Sequence, residues 1–207
     1  RMGAFLAGWN SLDAFSVEFL GDIRDKSVLH VQCHSGQDTI SMSRMGGRVT
    51  GLDFSSKAIN KGNALAAELG LDTQFVLASV YEMDQHLSQQ YDIVFTSYGC
   101  IVWLPDLNRW ACQLRKRLKS GGRLILVDFH PFLMMYDFPK KKMIFDYFNR
   151  SVIHEKVQKS YVDSSSSKEG EVMDEYSWSH TISEIFTACN SNGLRLKRFE
   201  EYDYAPY

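Results

Sequence analysis

The stretch VLHVQCHSGQD, Val28–Asp38, decides how this chain is read. Val28–Cys33 has the apolar character of a buried strand, and Gln37–Met45 follows with a helical pattern closed by Gly46-Gly47. A strand that turns into a helix at such a point is where many α/β proteins hold a nucleotide. Loops of that kind carry several glycines, and this one has only Gly36, with His30, Cys33 and His34 around it. A metal site is one reading of those three residues. On a strand, however, His30 and Cys33 point to opposite faces, and zinc wants four nitrogen or sulfur ligands, so no metal is expected. The GxGxxG fingerprint of nicotinamide-binding domains is absent, because Gln32 and His34 stand where glycines are needed.

Working outward, the chain alternates strands and helices, the signature of a parallel sheet wrapped by helices. Arg48–Asp53 reads as a second strand ending on a carboxylate. Ser55 can cap the next helix, with Ile59, Leu65 and Leu69 on one face and Gly70 as its stop. Gln74–Ala78 and Tyr91–Thr96 are short apolar strands. Pro105–Lys119 carries Leu107, Trp110, Ala111, Leu114 and Leu118 as a helical stripe; Arg115, Lys116, Arg117 and Lys119 are read as its wet face. Gly121-Gly122 then turns the chain into a strand over Arg123–Phe129. Residues 131–178 break the alternation, with strand-like pieces at Val152–Val162 and Glu171–Trp178 around a loop at Ser164–Gly170 that reads as mobile. Thr181 and Glu184 fit a capping box for a helix to Ser191, and Leu194–Glu200 reads as a closing strand.

Composition bounds the function classes. The 207 residues suffice for one domain with a full core, and 44% hydrophobic with 23% charged content is globular. A formal charge of −2 gives no field that points to nucleic acid or an anionic membrane. No apolar run approaches a membrane span, and four scattered cysteines without a CxxC pair read as reduced thiols of a cytoplasmic protein. The chain opens on Arg1, so a trimmed N-terminus is expected.

Asp53, 17 residues after Gly36, is placed to meet ribose hydroxyls, or to cap the helix that follows it. With it, the whole series resembles the class I S-adenosylmethionine-dependent methyltransferases. LKSGGRLILVDF, Leu118–Phe129, is similar to the family's LKPGG turn into its fifth strand; YDIVFTS, Tyr91–Ser97, resembles the fourth strand, and GLDFS the ribose-binding acidic motif. LHVQCHSGQDT resembles the first motif of a bacterial subgroup with LHLQCHFGQDT. His30, Gln32 and His34 depart from the family's acidic residue and first two glycines, and Ser79 stands where many relatives carry an aspartate. The family's seventh strand has no counterpart before Tyr207, so a truncated C-terminus is expected.

The resemblance implies a Rossmann-like α/β fold, a mostly parallel twisted sheet with helices on both faces and a β-rich insertion after the fifth strand. It implies one domain over 1–207, with its core at 27–130 and 179–207 and a substrate cap at about 131–178. The implied cofactor is S-adenosyl-L-methionine, giving S-adenosyl-L-homocysteine, held by Gln32, Cys33, His34, Gly36, Asp53, Phe54, Ser79, Val80 and Ser97. The implied acceptor is a small molecule, with no nucleic acid, membrane or metal partner, and a monomer or homodimer. His130, as a general base, and Tyr98 are the candidate catalytic residues, with Trp103, Tyr136, Trp178 and His180 beside them. A nicotinamide oxidoreductase and an inactive S-adenosylmethionine-binding protein are the alternatives.

Overall fold

The computed structural model describes residues 2–137, 140–157 and 172–204. Two helices open the chain, α1 (Met2–Leu6) and α2 (Ala14–Leu20), in a region on which the strand–helix alternation is silent. Asp13 caps α2 by accepting the Ser16 N–H. Then follow β1 (Ser27–Val31), α3 (Gln37–Arg44), β2 (Arg48–Asp53), α4 (Ser56–Glu68), β3 (Gln74–Leu77), the short α5 (Met83–His86), β4 (Tyr91–Ser97), α6 (Leu107–Arg117) and β5 (Leu118–Val127). The five strands form one parallel sheet in the order β3-β2-β1-β4-β5. The direction of travel reverses between β1 and β4, which leaves a crevice at the carboxyl ends of these strands.

The reasons for these elements are local. Ser55 caps α4 through the Ala58 N–H, and Ala58, Ile59, Leu65 and Ala66 form the buried face of that helix. β1 and β2 are buried along nearly their whole length, as parallel strands covered on both faces must be. Leu20, Ile23, Val28, Met42, Val49, Ile93 and Phe95 meet in one core cluster. Phe5, Ile40, Leu65 and Ala66 form a second.

Beyond the sheet come β6 (Tyr136–Asp137) and β7 (Lys142–Met143), then β8 (Ile153–Val157) and β9 (Met173–Ser177), two antiparallel pairs, and finally α7 (Ile182–Ser191). By compactness the chain divides into one unit of residues 1–97 and 113–127 and another of 98–112 and 128–205. The first holds the sheet, the second the hairpins and α7.

Three expectations need correction. Leu194–Glu200 is not a strand: among the described residues no ladder partner satisfies its alternating pattern, and Phe199 sets its ring edge-on to Phe186 of α7. The fifth strand starts at Leu118, not Arg123: LKSGG lies inside it at a register shift, where pairing passes from Tyr91–Leu118 to Ile93–Arg123 around a left-handed Gly121. Arg117 does not lie on a wet face; it is buried and donates to the Leu87 carbonyl, whereas Arg115 and Lys116 are exposed. The Ser164–Gly170 loop lies outside the described residues.

Candidate functional site

At the carboxyl end of β1 the backbone enters α3 through Gln32–Gly36. There φ is +57° at Gln32, +48° at His34 and +79° at Gly36. Three alternate residues are thus left-handed, a conformation that costs a non-glycine residue roughly 1–2 kcal/mol. Neighbouring bonds hold the loop in it. Cys33 N–H donates to Leu52 O at 3.0 Å, and Gly36 N–H donates to Cys33 O at 3.0 Å. Asp53 closes β2 with its carboxylate: Oδ2 accepts the His34 N–H at 2.9 Å and Oδ1 accepts the Ser55 N–H at 2.9 Å.

Space explains why only Gly36 is a glycine. A Cβ there would stand 2.4 Å from the Phe75 ring, which also fills the room beside Gly51 and Gly62. Gln32 and His34 take the same left-handed backbone without being glycines. His34 is exposed and Cys33 is buried.

The remaining cofactor candidates lie along the same edge. Phe54 follows Asp53 and is 75% exposed. Asp53 O accepts the Ala78 N–H at 2.9 Å, and Ser79, beyond β3, caps a 3-10 turn over Val80–Glu82 by accepting the Tyr81 N–H. Ser97 ends β4, with its hydroxyl 3.5 Å from His30 Nε2. Gln32, Cys33, His34, Gly36, Asp53, Phe54, Ser79, Val80 and Ser97 therefore all stand at or just past the carboxyl ends of β1 to β4. The donor set suits a nucleoside. A carboxylate offers about four acceptor positions, and Asp53, 7% exposed, spends two on the backbone, leaving one on each oxygen for a vicinal diol.

The acceptor-side candidates belong to the second unit. Tyr98 is left-handed at φ +53° and Gly99 at +73°. Asp128 fixes this turn: its carboxylate accepts the N–H groups of Gly99 (2.5 Å), Cys100 (3.0 Å), Ile101 (2.9 Å) and Phe129 (2.7 Å). Burial raises the Asp128 pKa while those four donors oppose the shift. Trp178 N–H donates to Val102 O at 2.8 Å, and His180 Nε2 donates to Leu104 O at 2.7 Å. Tyr98, Trp103, Trp178 and His180 thus share one frame, while Tyr136 lies in the β6–β7 pair. His130 is engaged elsewhere. Its Nδ1 accepts the Phe132 N–H at 3.1 Å and its Nε2 bonds Glu201 Oε1 at 2.6 Å. Asp128 was not singled out from sequence; the available signal was a carboxylate closing one strand beside a glycine turn that closes its neighbour. Among the described residues, no group of three or more His, Cys, Asp and Glu could hold a metal.

The parallel sheet in this order, flanked by helices, is the fold of the Rossmann-like class I methyltransferases, whose cofactor is S-adenosylmethionine. Residues 28–122 match the family described as a methyltransferase domain. The Salmonella typhimurium ubiquinone biosynthesis O-methyltransferase is 31% identical over 110 residues, which is 53% of this chain and 45% of that enzyme. The chain thus spans about half the length of the curated relatives it matches. Among solved structures, an S-adenosylmethionine dependent methyltransferase from Mesorhizobium loti superposes with a TM-score of 0.64 at 16% identity, over 95% of this chain and 86% of that one. A Listeria monocytogenes protein assigned to the same class gives 0.67 at 19% identity, over 91% and 82%. These two likenesses fix the fold.

Proposed function

We propose that the protein transfers a methyl group from S-adenosylmethionine to a small-molecule acceptor. The observation that carries this reading is the alternating left-handed backbone at Gln32, His34 and Gly36, tied by the His34 N–H to the carboxylate that ends β2. Strain of this kind persists where the surroundings over-determine it, and it gathers at ligand sites.

When bound, S-adenosylmethionine supplies an electrophilic methyl on a sulfonium whose departure leaves a neutral thioether. The protein's share is therefore alignment, for which well-oriented reactions gain roughly 7–11 kcal/mol. Asp53 would hold the ribose diol on its two remaining acceptor positions, and Phe54 would offer its exposed ring to the base. Val80 N–H and Ser79 complete the adenine side, with no full charge at Ser79. The Gln32–Gly36 loop and Ser97 would hold the methionine end. In the second unit Asp128 holds the turn that carries Tyr98, the acceptor-side candidate. His130 serves as a base only where a substrate hydroxyl displaces one of its present partners, because both ring nitrogens are bonded. The 31% relative methylates oxygen by its name, which makes a hydroxyl compound the first acceptor to try.

Calorimetry with S-adenosylhomocysteine and with NAD tests the reading. Binding of the former with none of the latter is expected, and tight binding of NAD alone sinks the proposal. Asp53→Ala should weaken S-adenosylhomocysteine by roughly ten-fold or more, since bonds to a charged group are worth about 1.5–3 kcal/mol each. Unchanged affinity in that variant would remove Asp53 from the site.

A further inference from the structure

One buried titratable group has no part in the mechanism above. His30 is the fourth residue of β1 and 2% exposed, and burial pushes its pKa down to about 3, so its imidazole is neutral. Nδ1 shares a 2.8 Å hydrogen bond with Thr39 Oγ1, and Nε2 stands 3.5 Å from Ser97 Oγ. The ring lies 5.3 Å from that of Phe95. A neutral imidazole carries one donor and one acceptor, and each here meets a hydroxyl, which can play either role. That satisfies the histidine as a core residue, but the choice of partners says more. Thr39 is fully buried in the first turn of α3, three residues after the Gly36 cap, and Ser97 closes β4. One ring therefore links the end of β1 to the start of α3 and the end of β4, the elements that surround the left-handed loop.

We propose that His30 is a positioning residue of the cofactor site: through Thr39 it holds the first turn of α3 in register with the Gln32–Gly36 loop. The proposal rests on the methyltransferase reading. The first N–H groups of a helix have no partner within it, and α3 begins directly after the Gly36 cap that ends the loop. Hydrogen bonds weaken steeply with misalignment, so a first turn that drifts on its strand loses the ligand before the fold is lost. The short bond to Thr39 is the one that sets this register; the longer approach to Ser97 steadies the ring.

The test is calorimetric titration of S-adenosylhomocysteine into wild type, His30→Phe, His30→Gln, Thr39→Val and the His30→Phe/Thr39→Val double variant, with urea midpoints measured on each. Phenylalanine keeps the volume and the contact with Phe95 but offers no hydrogen bond, whereas glutamine keeps a donor and an acceptor. His30→Phe is expected to weaken binding about ten-fold, a change of about 1.4 kcal/mol, and His30→Gln to restore it to within about three-fold of wild type. The double variant should bind no more weakly than His30→Phe alone, because both changes cut one link. A merely structural histidine gives the opposite pattern: additive losses in the double variant, affinities that track the urea midpoints, and no rescue by glutamine. Either that pattern or wild-type affinity in His30→Phe overturns the proposal and leaves the methyltransferase reading standing. If wild type itself fails to bind S-adenosylhomocysteine, both fall. Should His30→Phe not fold, Thr39→Val carries the test alone, with the same loss expected and wild-type affinity as the refuting result.

Discussion

His34 pays a backbone cost that its side chain does not recover by packing: it sits at φ +48° with its side chain exposed, fixed by the bond from its N–H to Asp53. Glycine at this position removes that steric cost but adds freedom to the unfolded chain, worth roughly 0.4–1 kcal/mol in the other direction. His34→Gly should therefore be neutral or stabilising by up to about 1 kcal/mol, while His34→Val, β-branched and unable to adopt this φ comfortably, should destabilise by about 1–2 kcal/mol. Urea midpoints for the two variants decide it, and a valine variant as stable as wild type would contradict the assigned backbone. His30 leaves a different signature. The unfolded chain protonates this histidine near its ordinary value of about 6.5, but the folded protein keeps it neutral down to about 3. Between those values the unfolded state binds the extra proton, so the stability contributed is complete above pH 6.5 and is lost as the pH falls below it. From pH 7 to pH 5 wild type should lose about 2 kcal/mol more than His30→Gln. Equal losses in both proteins would mean that the ring titrates normally.

Among elements, the contact of β3 with the helices α3 and α4 is set by one ring. Phe75 occupies a cradle of three glycines, and a Cβ at Gly62 in α4 would stand 2.7 Å from it. Gly62→Ala should destabilise by about 1–3 kcal/mol, the usual cost of overpacking, although alanine is the better helix former. Gly3 in α1 has open space around it, so Gly3→Ala should be neutral or stabilising by up to about 1 kcal/mol. Thermal unfolding of the pair checks the sign. What the sequence could show follows the same division. β1 to β4, the α4 cap, the α6 stripe and the capping box of α7 were legible because each is written in neighbouring residues. The Phe75 cradle was not, since it joins Gly36, Gly51 and Gly62 to a strand not yet placed beside them. Leu194–Glu200 alternates like a strand, but alternation supplies no ladder partner. In the candidate site, Asp53 and Gly36 could be read from spacing. The left-handed backbone at Gln32 and His34 could not, because neither side chain advertises it. Asp128 was hidden for a related reason: three of its four partners are backbone N–H groups about 28 residues away in sequence.

For the molecule as a whole, a site built on the rigid edge of a parallel sheet should bind its ligand with little reordering. The loop is already held by Asp53, Leu52 and Phe75, so most of the affinity should appear as added stability of the folded state. A ligand that binds only the folded protein stabilises it by about 2.7 kcal/mol at one hundred times its Kd. For a chain of this length such a gain raises the melting temperature by very roughly 5–10 °C. S-adenosylhomocysteine at that excess should produce this shift in wild type, and NAD at the same concentration should produce none. Asp53→Ala should lose about half of the shift or more at a fixed ligand concentration, because its Kd rises roughly ten-fold or more while the sheet that carries the loop remains. His30→Gln, which keeps both hydrogen-bonding functions beneath the loop, should retain most of it. A wild-type melting temperature that does not respond to S-adenosylhomocysteine, in a preparation whose sheet unfolds cooperatively, would refute the assignment of this edge to an adenosyl cofactor.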